Sequence, residues 1–348
     1  MNVSLLRLIA VFLIFSPVDI LAAEISGAGS TLPAPLLKIW SEQYCSRYPA
    51  TTIKYTASSP ADGIKRLVDK EVDFSIVDMP LSREDLNKYG LRQFPFALGA
   101  VTPTVNLPNI YPGQFKLDGN TLGEIFLGRI KKWNDPAIVA LNSNIHLPDE
   151  RIIIIHRISP PGIRTIIGDF IAKTHPQWKV IKGEGDMAGD WPETAIEVKN
   201  PQENLALIKK TSFSIGYGPT QLAFQHELAY VKLKNKAGNF VSPSNENIGA
   251  AAANAIWDEQ NGFDVVLTDQ PGGNSWPMSN ASFLLVRKAG TEHDHTKDAL
   301  NFFRYSLRYG SLLALQNNFV PLPDSVIPSI TAILKNAVDE NRVSMLRN

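Results

Sequence analysis

The sequence predicts an α/β protein made of two lobes. Short apolar runs typical of buried strands alternate with amphipathic helical segments, a pattern that favours sheets covered by helices. The chain has 348 residues, more than one hydrophobic core usually serves, so two lobes are expected. The strand candidates are Thr52–Tyr55, Val72–Val77, Leu98–Asn106, Arg151–Arg157, Ser214–Tyr217 and Ser282–Arg287.

Residues 1–23 have the pattern of a secretory signal peptide. Arg7 precedes the apolar run Leu8–Phe15, and the segment closes on the small residues of Leu21–Ala23. The apolar run is too short to span a bilayer. A buried N-terminal helix is the alternative interpretation. We therefore expect a secreted, soluble, periplasmic protein whose mature chain begins near Glu24.

The composition argues against several classes of function. The 34 Lys and Arg residues balance the 34 Asp and Glu residues, and residues 1–23 hold one of each sign. A neutral mature chain argues against nucleic acid or an anionic membrane as a partner. The single cysteine, Cys45, excludes an internal disulfide and a cysteine-rich metal site, and it does not follow the signal directly as a lipid anchor would. The six histidines lack metal-ligand spacing, so neither a metal site nor a cofactor is expected.

A glycine-rich segment, Gly27–Pro33, precedes an amphipathic helix predicted over Ala34–Cys45. Glycine lets the backbone approach a ligand closely, Thr31 offers a hydroxyl and an N–H, and Pro33 suits a first helical turn. An ordinary helix start is an equally simple interpretation. The segment lacks the lysine of a nucleotide-binding P-loop, so it does not indicate nucleotide hydrolysis.

Asp78 directly follows the strand candidate Val72–Val77 and precedes Met79 and Pro80. A carboxylate at the carboxyl end of a sheet strand lies where open α/β proteins bind ligands. An aspartate that forms a turn before a proline explains the same pattern.

The segment Arg151–Lys173 predicts a strand that runs into a helix. Ile152–Ile155 is a β-branched run, His156–Gly162 breaks it, and Ser159 is a plausible helix cap. The next apolar residues have helical spacing: Ile163, Ile166, Ile167, Phe170 and Ile171. A helix N-terminus beside Arg157 suits an anion, because free N–H groups and the helix dipole face the ligand. Taken alone, an ordinary strand–loop–helix joint is the simpler interpretation.

Two strand candidates are predicted to cross between the lobes. Leu98–Asn106 and Ala281–Arg287 lie far apart in sequence, between otherwise compact blocks. The first lobe would then be discontinuous, comprising residues 24–101 and 277–348. The second lobe would comprise residues 102–276.

Several segments match one family pattern in order. The pattern G-A-G-x-T-F-P-x-P matches Gly27–Pro35, V-D-F-x-x-S-D-x-P-L matches Val72–Leu81, and a long match runs from Leu117 through Asp135. Shorter matches follow at Ser214–Tyr217, Ser242–Pro243, Trp276–Pro277 and Leu322–Val326. From Ile25 almost to Ser329, the chain resembles the phosphate-binding proteins of bacterial phosphate ABC importers.

The resemblance implies a type II periplasmic binding protein fold, with two α/β lobes joined by a two-strand hinge and closed on one phosphate. Thr31 and Leu32 would donate from the first lobe, and Arg157 would form a fork-shaped contact from the second. Asp78 would accept a hydrogen bond from a proton that phosphate carries, and it would penalise a fully ionised sulfate, which has no proton to donate.

The sequence departs from the family within the site itself. The family's R-x-D-G-S-G-T falls on residues 157–163, where Ser159 replaces the aspartate, Pro161 the serine and Ile163 the threonine, while Gly162 is retained. The ligand serine of the family's G-S-S-G-G falls on Pro60, so Ser58 or Ser59 would have to substitute. Three lost donors at roughly 1–2 kcal/mol each amount to about two to four decades in affinity. The predicted ligand residues are Thr31, Leu32, Ser59, Asp78, Arg157, Ser159, Gly162 and Ile163.

Three functions stay open. The first is capture of inorganic phosphate, or a related oxyanion, by a monomer that delivers it to an inner-membrane ABC permease. The second is a divergent paralogue whose ligand is a phosphonate, a phosphoester or another oxyanion, with Pro161 and Ile163 facing an organic tail. The third is a secreted phosphatase on the same fold. The sequence shows neither a metal-ligand cluster nor a nucleophile–base pair, so we expect no enzyme.

Overall fold

The computed structural model describes residues 23–157, 162–182, 191–193, 195–288 and 295–345. The strands are β1 Ala23–Gly29, β2 Thr51–Ala57, β3 Phe74–Val77, β4 Leu91–Asn106, β5 Lys116–Leu117, β6 Ile153–Arg157, β7 Ile196–Val198, β8 Ser214–Pro219, β9 Ala229–Tyr230, β10 Lys232–Lys234, β11 Phe240–Val241 and β12 Ser279–Arg287. The helices are α1 Ala34–Arg47, α2 Pro60–Val68, α3 Arg83–Tyr89, α4 Gly119–Phe126, α5 Pro136–Leu141, α6 Gly162–Thr174, α7 Trp178–Lys182, α8 Pro201–Lys210, α9 Thr220–Gln225, α10 Asn245–Ala253, α11 Thr296–Tyr309, α12 Ser311–Gln316 and α13 Ile327–Met345.

The main sheet has the strand order β2-β1-β3-β12-β4-β8-β6-β7 in the described part of the chain, with β9 beside β4. β1 pairs in parallel with β2 and β3, and β6 pairs in parallel with β7 and β8. β12 is antiparallel to β3 and β4. A second small sheet has the order β11-β10-β5. The mixture of covered parallel strands and helices is the α/β architecture that the sequence predicts.

Strand β4 belongs to both halves of the main sheet. Its residues 91–100 pair with β12, and its residues 101–106 pair with β8. The change of partner occurs between Ala100 and Val101. Beside it, the Val101 N–H donates to the carbonyl of Met278 at 3.0 Å, so two chain segments run side by side at this point. This is the two-strand connection between the lobes.

The second crossing lies earlier in the chain than Ala281–Arg287, where the sequence places it. Those residues pair with β3 and β4 and form part of the first half of the sheet. The crossing is instead at Met278, before β12 begins. An apolar run reveals a buried strand but not which half of a shared sheet it joins, since both halves bury their strands. The exact lobe boundaries stay a prediction.

Strand β6 and helix α6 form as the apolar pattern predicts. Arg157, the last residue of β6, is only 2% exposed. The helix buries the whole predicted face, with Ile163, Ile166, Ile167, Phe170 and Ile171 at 0–2% exposure. Burial of this face fixes the direction in which the N-terminus of α6 points.

Strand β1 was not predicted, because glycine is depleted from strands and Ala23 falls at the end of the expected signal peptide. The predicted signal comprises residues 1–23, of which residues 1–22 lie outside the described residues, and Ala23 pairs with Thr51. Cys45, in α1, is half-buried rather than part of the core. Among the helices that the structure describes, none has the length and apolar character required to cross a membrane.

Candidate functional site

The loop between β1 and α1 is held against the end of β3. Gly29 has φ +136°, and a Cβ there would lie 2.2 Å from the carbonyl oxygen of Ile76, so this close approach requires glycine. The next N–H, that of Ser30, donates to the same Ile76 oxygen at 2.9 Å. The result is that the loop carrying Ser30, Thr31 and Leu32 lies beside Asp78, the residue after β3.

Ser30 links this loop to Asp78. Its hydroxyl donates to Asp78 Oδ1 at 2.5 Å and accepts from the N–H of Leu32 at 3.1 Å. The carbonyl of Ser30 accepts from the Tyr55 hydroxyl at 2.7 Å. Burial and the nearby Asp78 charge raise the pKa of Tyr55, so this phenol remains a donor. A chain of hydrogen bonds therefore orients the Asp78 carboxylate.

Asp78 is only 3% exposed. Burial raises the pKa of this carboxyl from its ordinary value of 3.8 to about 6, although the Ser30 hydrogen bond and the charge of Arg157 act in the opposite direction. The carboxyl is consequently poised to exchange between its neutral and charged forms near neutral pH. A buried, titratable carboxylate of this kind is a marker of functional sites.

The second lobe presents Arg157 and the N-terminus of α6 to Asp78. Burial lowers the pKa of the Arg157 guanidinium, and the charge of Asp78 partly compensates. A Cβ on Gly162 would lie 2.8 Å from Asp78 Oδ2, so the first residue of α6 approaches the carboxylate closely. The first-lobe carboxylate and the second-lobe helix N-terminus thus meet across the cleft.

Arg164 adds positive charge to the same region. It lies in the first turn of α6, and its charge acts to lower the pKa of Arg157. Cations are unfavourable at a helix N-terminus because the dipole there is already positive. Arg157 and the N-terminus of α6 together form a side of the cleft that attracts anions, and the Arg164 charge is close enough to act on Arg157.

The neighbouring loop after β2 contributes two serines with different surroundings. The Ser59 hydroxyl accepts from the N–H of Asp62 at 3.1 Å and caps α2. The Ser58 N–H donates to the carbonyl of Gly29 at 2.7 Å, which ties Ser58 to the glycine-rich loop. The Ser58 hydroxyl is buried, and no hydrogen-bond partner for it occurs among the described residues. Ser58 is therefore better placed than Ser59 to offer a free hydroxyl.

The structure brings most of the predicted ligand residues into one region. Leu32, Asp78 and Gly162 are linked by the contacts above, the charges of Arg157 and Asp78 are close enough to act on each other, and Thr31 is half-buried in the bend before α1. The N–H of Ile163 lies at the start of α6, while its side chain is 2% exposed and part of the core. Ser159 lies outside the described residues. The individual ligand roles stay predictions.

Sequence reasoning missed Ser30 and Tyr55 and named Ser58 only as a substitute. Ser30 occupies the variable position of the glycine-rich motif, so the pattern gave it no role. Its position directly before Thr31, in a helix-opening loop, was the one available signal. Tyr55 is a regular member of strand β2, and only the fold shows which backbone group its hydroxyl reaches. The described ranges contain no group of three or more metal-ligating side chains.

Comparison with known proteins places the chain in a family. Residues 19–308 match the PBP superfamily domain. A phosphate-binding protein PstS from Pasteurella multocida is 39% identical over 317 residues, covering 91% of both chains. A second PstS, from Haemophilus influenzae, is 37% identical and covers 92% of this chain and 95% of its own length.

Solved structures share the fold at lower identity. A phosphate-binding protein from Stenotrophomonas maltophilia has a TM-score of 0.66 and 17% identity over 89% of this chain and 94% of its own. A high-affinity periplasmic phosphate-binding protein, PfluDING, bound with phosphate, has a TM-score of 0.65 and 19% identity. The match covers 89% of this chain and 93% of that one. The fold is accordingly the type II periplasmic binding protein fold. Given matches of this extent and identity, the chain belongs to the PstS phosphate-binding protein family within the PBP superfamily.

Proposed function

We propose that this protein captures inorganic phosphate between its two lobes and delivers it to an ABC importer. The observation that carries the proposal is the position of Asp78. Its buried carboxylate lies beside the buried Arg157 and within close contact of Gly162, at the N-terminus of α6. The PstS proteins of Pasteurella multocida and Haemophilus influenzae, named for phosphate binding, support this function.

The two lobes would divide the recognition of phosphate between them. Arg157 and the N–H groups at the start of α6 neutralise the charge of the anion. The first lobe adds the N–H and hydroxyl of Thr31 and the N–H of Leu32, which exchanges its Ser30 contact for the ligand. Asp78 accepts a hydrogen bond only from a ligand that carries a proton, so hydrogen phosphate fits and sulfate leaves the carboxylate lone pairs unpaired.

Two residues are the best candidates to replace donors that the family pattern would supply. Proline at positions 60 and 161 and isoleucine at position 163 remove the expected hydroxyl groups. Arg164 adds a second positive charge beside Arg157. Ser58 adds a buried hydroxyl next to the glycine-rich loop. A second guanidinium near Arg157 would add Coulombic attraction for the anion, and a Ser58 hydroxyl would add a charge-assisted hydrogen bond to it.

A ligand with an organic tail is a weaker candidate. That hypothesis requires an apolar wall at Ile163, but this side chain packs into the core and is 2% exposed.

A phosphatase is the other candidate, and one contact favours it. The Ser30 hydroxyl donates to the buried Asp78 carboxylate at 2.5 Å, an arrangement of nucleophile and base. A binding protein remains the better interpretation because the same contact orients Asp78 and receives the N–H of Leu32.

The cellular setting follows from the signal peptide expected at residues 1–23. We propose that the mature protein is soluble in the periplasm, is not lipid-anchored, acts as a monomer and docks on an inner-membrane permease. The periplasmic phosphate-binding neighbour PfluDING supports this location.

Equilibrium dialysis of ligand-stripped mature protein against radiolabelled phosphate tests the binding function. We expect phosphate to be retained and to resist displacement by excess sulfate or methylphosphonate, with no release of phosphate from phenyl phosphate. Absence of retained phosphate in folded protein would contradict the proposal. Preferential displacement by methylphosphonate would favour the divergent paralogue, and phosphate release that Ser30→Ala abolishes would establish the phosphatase.

A further inference from the structure

A buried side-chain amide lies close to the candidate site without a hydrogen-bond partner. Asn280, the second residue of β12, is 2% exposed. Within the part of the chain that the structure describes, neither its Nδ2 nor its Oδ1 atom has a partner. An amide can make up to four hydrogen bonds, and buried amides in native proteins are almost always paired. This residue therefore calls for a functional explanation.

The position of the amide is set by the pairing of β4 and β12. Asn280 pairs with Gly99, and a Cβ on Gly99 would lie 3.0 Å from Asn280 Oδ1 and 3.6 Å from Leu32 Cδ2. The absence of a side chain at Gly99 thus leaves room that Asn280 and Leu32 share. Leu32 belongs to the loop of residues 30–33 between β1 and α1, here named the anion loop. Its N–H donates to the Ser30 hydroxyl, which in turn donates to Asp78.

The antiparallel pairing of β12 with β3 brings Asn280 to the end of β3 that Asp78 follows. Phe283 of β12 pairs with Val77 of β3, and the two strands are antiparallel. The residues before Phe283 therefore lie next to the chain that follows Val77, which begins with Asp78. On its other side, Asn280 is two residues from Met278, at the crossing between the lobes. The amide is thus enclosed between the hinge and the anion loop.

We propose that Asn280 is a further ligand-binding residue, whose amide donates to the bound phosphate directly or through one ordered water. A water-mediated contact of this kind is nearly as favourable enthalpically as a direct one. The amide would replace one of the donors that Pro60, Pro161 and Ile163 cannot supply. This inference rests on the proposed phosphate-binding function.

Asn280→Leu tests the proposal, because leucine keeps the volume and removes both polar atoms. A hydrogen bond to a charged ligand predicts a phosphate Kd that rises about 10-fold to 100-fold in calorimetric titration. The ligand-free protein should keep its Tm or gain in Tm, since an unpaired buried amide is removed. A purely structural amide predicts the reverse, a lower Tm and an unchanged Kd.

Asn142→Leu is the matched control. Asn142 is also a buried amide, but its Oδ1 accepts from the N–H of Lys116, and its Nδ2 donates to the carbonyls of Lys116 and Ile138. We expect this variant to lower the Tm and to leave the Kd unchanged. Asn280→Ala serves as the second variant if Asn280→Leu does not fold. An unchanged Kd in the Asn280 variants would overturn this inference alone, whereas no phosphate binding by the wild type would overturn it together with the proposed function.

Discussion

Single residues determine the chemistry of the site, and Asp78 is the one whose raised pKa lies closest to neutral pH. Its environment combines complete burial, one short hydrogen bond from Ser30 and the charge of Arg157. Burial is the largest of these effects and favours the neutral carboxyl. Without ligand, the charged form is therefore costly to the folded protein.

Asp78→Asn is expected to change how stability depends on pH. Since the folded protein holds the Asp78 proton up to about pH 6 while the unfolded chain releases it near 3.8, the wild type loses stability as pH rises through this window. The difference between the folded and unfolded pKa values corresponds to roughly 3 kcal/mol in the free energy of unfolding. Asparagine does not titrate, so the variant should not lose stability in this window. In thermal unfolding of ligand-free protein, it should be more stable than the wild type at pH 8. An unchanged pH profile would show that Asp78 is not the buried titrating group.

Gly162→Ala is expected to weaken phosphate binding by at least about tenfold, the effect of roughly 1.4 kcal/mol. The new Cβ would lie 2.8 Å from Asp78 Oδ2, so α6 and Asp78 must separate. Gly249→Ala, in α10, is the control, because its Cβ meets only Val320 Cγ1 at 3.8 Å. Titration calorimetry compares the two variants. Equal affinities would mean that the start of α6 does not contact the ligand region closely.

Strands and helices hold the site residues in place, and the sequence predicted these elements better than it predicted individual side-chain contacts. Apolar periodicity located β6 and α6, and burial of the five α6 residues confirms the face that was predicted. Strand β1 was not predicted because it contains glycines, which allow close backbone approach but have low strand propensity. The second crossing was misplaced because β12 is buried like any central strand. Hydrogen-bonded neighbours such as Ser30 and Tyr55 depend on long-range pairing, which local patterns do not specify.

The two serines after β2 differ in role, because Ser59 caps helix α2 and Ser58 does not. Ser59→Ala should cost roughly 1 kcal/mol of stability by removing the N-cap of α2. Ser244→Ala, which removes the N-cap of the equally long α10, should cost a similar amount without any change in phosphate affinity. Ser58→Ala should weaken phosphate binding with little loss of stability, because its hydroxyl has no partner among the described residues.

Chemical denaturation and calorimetric titration of the three serine variants check these expectations. A change in phosphate affinity for Ser59→Ala alone would assign the ligand hydroxyl to Ser59. Unchanged affinity in both Ser58→Ala and Ser59→Ala would remove this loop from the site.

At the scale of the whole molecule, the site exists only where the two lobes meet. Asp78 comes from the first lobe, and Arg157 and Gly162 come from the second, with β4 continuous between them. The alternation of apolar and amphipathic segments predicted the α/β architecture, and the family resemblance predicted a cleft between two lobes, whose individual ligand residues stay predictions. The sequence could not place Arg164, Ser58 or Asn280 relative to Asp78, because their positions depend on the packing of segments that are distant in sequence.

If Asp78 lets this cleft select phosphate over sulfate, replacement of its carboxylate should remove that selectivity. Ligand-stripped wild type and Asp78→Asn are titrated with phosphate and with sulfate by calorimetry near neutral pH. We expect the wild type to bind phosphate and exclude sulfate, and the variant to lose phosphate affinity and most of this selectivity. Equal phosphate affinity and selectivity in the two proteins would mean that the carboxylate has no part in recognising the ligand.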